Sequence, residues 1–75
     1  MTYQNISDLL FLKRLSALTL SACINDNEID ATIRRLSEMF AWRFMDTSTK
    51  VYCNALRIFS DYLGTMASER RVELR

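Results

Sequence analysis

Asp26, Glu28 and Asp30 alternate over five positions, and clustered acids of this kind hold cations or share acid and base roles. A plainer use is at hand, because they open a helical run whose first turn attracts negative charge through the helix dipole. Nothing nearby completes a catalytic set. The chain has no His, no Gly-rich loop and no nucleophile set beside a base, so the usual constellations for acyl transfer, phosphoryl transfer and metal-assisted hydrolysis are missing. No enzymatic activity, cofactor or small-molecule substrate is expected. Cys23 and Cys53 are too far apart for a CxxC motif, which with no His argues against zinc. Both are expected as reduced thiols buried within helices.

Arg34, Arg35 and Arg43 are the candidate cations for DNA or an acidic partner, on a helix that stands second in a helix-turn-helix-like order. A net charge of only +1 weighs against a nucleic-acid binder. Glu38 lies three and four residues after Arg35 and Arg34, so ion pairs along a solvated helix face are the simpler expectation. Arg70 and Arg71 are offset by Glu69 and Glu73.

These residues need elements to position them. Seventy-five residues make one domain, near the size at which a core alone is marginal. With no Pro and one Gly, the composition predicts an all-α fold. Three helices are expected, at about 7–24, 28–44 and 49–67, with 1–5 and 69–75 frayed. Ser7 or Asn5 caps the first, and Asp8 suits its first turn. Asn25-Asp26-Asn27 forms the following turn, and Asn25 with Glu28 has capping-box spacing. Asp46-Thr47-Ser48-Thr49 makes the second break. The start MTYQNISD lacks the basic region of a signal peptide, and Lys13-Arg14 interrupts the only long apolar run, so neither export nor membrane insertion is expected. A cytoplasmic location follows by default.

Helix 2 carries the clearest period, with Ile29, Ile33, Leu36, Phe40 and Phe44 on one narrow face. Trp42 lies off that face, with Met39 between. It either rests half-buried on a neighbouring helix or anchors a protein interface. Helix 3 presents a broad arc of Val51, Tyr52, Ala55, Leu56, Ile58, Phe59, Tyr62, Leu63 and Met66. Helix 1 is apolar nearly all round. Phe11, Leu15, Leu18 and Ala22 form its main stripe, flanked by Leu12 and Cys23, while Leu9, Leu10, Ala17 and Leu20 spread round the back. The other two helices offer too little to cover both. The surplus around Leu9, Leu10, Ala17 and Leu20, with Lys13 and Arg14 at its rim, is the expected seam of a homodimeric helical bundle, and Trp42 is a further interface candidate.

Leu18-Thr19-Leu20-Ser21, the Asn25-Asp26-Asn27 turn, Ile29, Ile33, Leu36 and the late Ala55-Leu56-Arg57-Ile58 resemble the enterobacterial biofilm-development and acid-resistance regulators of the AriR (YmgB) type. The likeness spans about Leu18 to Tyr62 with small gaps, and Ala22 stands where those proteins tend to have Gly. It implies an all-α homodimer that regulates biofilm formation, acid resistance or envelope-stress signalling by binding a regulatory protein, with DNA as a further partner, and it transfers no catalytic residue. By size and class the chain also resembles the helical chaperones of type III secretion, which would cover a partner with Leu12, Leu15, Phe40 and Phe44. The third alternative is a DNA modulator of the Hha-like or helix-turn-helix kind.

Overall fold

Each helix begins where a short polar side chain meets the free N–H groups of a first turn. The computed structural model describes residues 2–75 and contains α1 (Tyr3–Ser21), α2 (Asp26–Phe44) and α3 (Thr49–Glu73). Thr2 Oγ1 accepts from the Asn5 N–H at 3.2 Å, and Asn5 Oδ1 accepts from the Thr2 N–H at 3.3 Å. Asn25 Oδ1 accepts from the Glu28 N–H at 2.8 Å, while Glu28 Oε1 reaches back to the Ile24 N–H at 3.1 Å. Ser48 Oγ accepts from the Val51 N–H at 3.3 Å. Both connections, 22–25 and 45–48, are short, and the helices form an all-α three-helix bundle measuring 40 × 16 × 16 Å.

The ends differ from the expected bounds. Helix α1 begins at Tyr3 because Thr2, rather than Ser7 or Asn5, is its cap, and Asn5 is its buried third residue. At the other end α3 continues to Glu73. Arg70 Nε and Nη2 donate to the Cys23 carbonyl at 3.0 and 2.8 Å, placing a cation on the free carbonyls beyond α1. Arg71 pairs with Asp30 at 2.6 Å and with Asp26 at 3.5 Å. The segments expected to fray, 1–5 and 69–75, are therefore helical over residues 3–5 and 69–73. Met1 lies outside the described residues.

The core takes Ile29, Leu36, Phe40 and Phe44 from α2, and Ala55, Phe59, Leu63 and Ala67 from α3. Phe40 stacks on Phe44 and Phe59, with ring centroids 4.5 and 5.4 Å apart, and meets Tyr52 edge-on at 5.4 Å. Ile33, Tyr52 and Met66 pack against this centre. The arc on α3 is narrower than its composition suggests, since Leu56 and Ile58 are exposed. Cys23 is buried just past α1, whereas Cys53 is exposed on α3, correcting the expectation of two buried thiols.

Helix α1 is turned relative to the expected stripe. Its buried line is Asn5, Leu9, Leu12, Ser16 and Leu20, continued by Cys23. Phe11 and Leu18 face solvent. On a 100° wheel Arg14 lies only about 70° from the centre of the Phe11–Leu15–Leu18–Ala22 stripe, so burying that stripe would draw a guanidinium toward the core. The observed rotation places Arg14 roughly opposite Leu12 and Ser16. Ser16 is tolerated at the centre because its hydroxyl donates to the Leu12 carbonyl at 2.6 Å.

Candidate protein-binding surface

The rotation of α1 decides which apolar side chains are left for a partner. Leu9 and Leu20 are not among them, since at 9% and 0% exposure they belong to the chain's own core. That part of the expected seam is corrected. Leu10 remains 48% exposed and Ala17 is half-buried. Ile6, Leu10, Lys13 and Ala17 follow a helical row, and the Lys13 ammonium sits 4.8 Å from the Tyr62 ring centroid, which marks where this row borders α3.

A second exposed row on α1 is Phe11, Arg14 and Leu18, at helical spacing of three and four. Leu18 is 70% exposed and Phe11 45%. On α2 the matching row is Arg35, Met39 and Trp42, whose indole is 76% exposed rather than half-buried on a neighbouring helix. Arg43 joins the two rows. Its guanidinium carbon stands 4.2 Å from the Phe11 ring centroid, and Nη1 pairs with Asp8 Oδ1 at 3.1 Å. Arg35, Glu38, Met39, Trp42 and Arg43 line a shallow depression of about 730 Å³. A flat aromatic, a flexible thioether and bordering guanidinium groups are the side chains enriched where proteins meet.

The three arginines do different things. Arg43 is engaged by Asp8 and Phe11 within the chain, a use that no sequence spacing announces because Asp8 and Arg43 lie 35 positions apart. Arg34 and Arg35 are exposed, and among the described residues neither forms an ion pair with Glu38, correcting the expected pairs along the helix. The acids at the start of α2 all have structural partners: Asp26 and Asp30 meet Arg71, and Glu28 holds the Ile24 N–H. Among the described residues no group of three or more potential ligands is gathered to hold a metal ion. None of the helices is long and apolar enough to cross a membrane.

The chaperone face drawn from sequence does not exist as a surface. Leu12, Phe40 and Phe44 are fully buried and Leu15 packs against them, so covering a partner with these residues would require opening the core. Arg70, in the segment expected to fray, instead tethers the end of α3 to the α1–α2 turn. An arginine that meets a helix end 47 positions away leaves no local signal. No family model, curated protein or solved structure matches this chain.

Proposed function

We propose that this chain is a small, non-enzymatic regulatory or adaptor protein that works in the cytoplasm by binding other protein chains, and that it does so as a homodimer. The observation that carries the proposal is the outward face of α1, where Leu10, Phe11 and Leu18 are exposed beside Trp42 of α2. None of the four is needed to close the core. Large apolar side chains gathered on one exposed face are a liability on a free monomer and are kept where another chain covers them. The row of Ile6, Leu10 and Ala17 is the proposed dimer seam. The resemblance to biofilm-development regulators gives the setting: biofilm formation, acid resistance or envelope-stress signalling.

Arg34 and Arg35, exposed and, among the described residues, without acid partners, favour DNA as a second reading. Its geometry is poor, because a recognition helix meets base edges with its N-terminal residues, and here that end carries Asp26, Glu28 and Asp30. Sedimentation over a range of about 1 to 100 μM tests the proposal. A concentration-dependent dimer, dissociated by Leu10→Glu with helicity retained, is expected. A monomer throughout, with stability independent of concentration, refutes the homodimer.

A further inference from the structure

The charges around the α1–α2 junction sort into spent and unspent. Asp8 is paired with Arg43, and Asp26 and Asp30 share Arg71 at the opposite end of the bundle. What remains beside the apolar rows is Arg14 on α1 and Arg35 on α2, both exposed and, among the described residues, without an ion pair. Glu38 is the single acid on the wall of the depression.

From this we infer that the α1–α2 face receives an acidic amphipathic helix of a partner protein. The inference rests on the protein-binding reading above and names the chemistry of the partner. The two rows, Phe11–Arg14–Leu18 and Arg35–Met39–Trp42, run along antiparallel helices joined where Arg43 stands over Phe11, so a third helix laid along them meets Phe11, Leu18, Met39 and Trp42 with the Arg14 and Arg35 guanidinium groups interspersed among them. An apolar stripe bordered by Glu or Asp matches that order, and carboxylates meet the guanidinium groups in charge-assisted pairs. A Lys-flanked helix would set like charges against Arg14 and Arg35. The proposed dimer row of Ile6, Leu10 and Ala17 lies on the other side of Arg14, where α1 borders α3.

Trp42 is the only tryptophan and reports directly on this face. Three Trp-free peptides of about eighteen residues, the length that spans roughly 27 Å as a helix, serve as probes. The first has a Leu and Phe stripe flanked by Glu, the second the same stripe flanked by Lys, and the third the Glu flanks with Ser in place of the stripe. The Glu-flanked apolar peptide is expected to shift Trp42 emission to the blue, saturably, and to bind at least tenfold more tightly than the Lys-flanked one. An Arg14→Glu, Arg35→Glu double variant should reverse that preference while keeping its helical circular dichroism.

Equal binding of both apolar peptides overturns the acidic partner and leaves the protein-binding reading standing. Binding of the Ser-containing peptide as tightly as the first overturns the apolar groove. If Trp42 emission is already blue-shifted in the free protein and moves to the red on dilution, a second copy occupies the face and the inference fails. If anionic phospholipid vesicles shift Trp42 and none of the peptides does, the face is a lipid-binding one and the inference fails again. The dimer seam is read separately by sedimentation of Leu10→Glu.

Discussion

Leu18 and Leu20 stand two positions apart in one helix and exchange roles according to how α1 is rotated. The structure leaves Leu18 70% exposed and Leu20 fully buried. Leu20→Ala should cost about 2.7–5 kcal/mol, the lost transfer term plus a cavity. Leu18→Ala removes a side chain already mostly in water, so about 0.5 kcal/mol is expected, partly offset by the better helix propensity of Ala. A stability of about 4–11 kcal/mol is typical for this size. With a urea slope of about 1 kcal/mol per M, Leu20→Ala lowers the midpoint by about 3 M or more, against about 0.5 M for Leu18→Ala. Far-UV circular dichroism at a concentration below association separates folding from dimerisation. Should Leu20→Ala fail to fold, Leu20→Val, at about 1 kcal/mol, preserves the comparison. Equal costs, or a larger cost at Leu18, would show that the Phe11–Leu15–Leu18–Ala22 stripe faces the core, and the proposed binding surface would be lost with it.

Arg70→Met keeps the aliphatic stem but removes both hydrogen bonds to the Cys23 carbonyl; with the side chain 22% exposed, about 1–2 kcal/mol of stability should go, measured by urea midpoint, while Arg71→Met at its more exposed pairs costs under about 1 kcal/mol. Gly64→Ala should stabilise by about 0.5–1 kcal/mol, because an added Cβ meets nothing within 4 Å; a lower melting temperature would refute this.

The helix count and the second and third starts were legible because they depend on neighbouring residues. Asn25 with Glu28, and Ser48 before Thr49, are local signals that the chain obeys. The stripe on α2 was legible for a related reason: its polar residues leave only one face to bury. On α1 the same method had no purchase. Apolar residues surround that helix, and its true buried line includes Asn5 and Ser16, whose polarity is cancelled by a capping bond and by the Leu12 carbonyl. Arg14 was the usable clue, since a charge in the middle of a largely apolar helix marks the side that must stay wet. Contacts between distant positions, Asp8 with Arg43 and Arg70 with Cys23, had no counterpart in spacing at all.

Once α1 is placed, its composition poses a sharper question than the fold does. The core draws on Leu9, Leu12 and Leu20, and polar residues at Leu10, Phe11 and Leu18 would leave that packing untouched. Phe11 does find a use under Arg43, but an exposed cation–π contact contributes only about 0.5–1 kcal/mol. Leu18 and Trp42 have no such contact. Folding alone therefore gives no reason for the widest apolar side chain in the protein to sit in solvent on α2 while Leu18 is exposed on α1. The proposed partner chain is that reason. Arg43, paired with Asp8 and stacked over Phe11, ties the two helices together beside this face, so the proposed partner meets a surface already assembled and loses less entropy on docking.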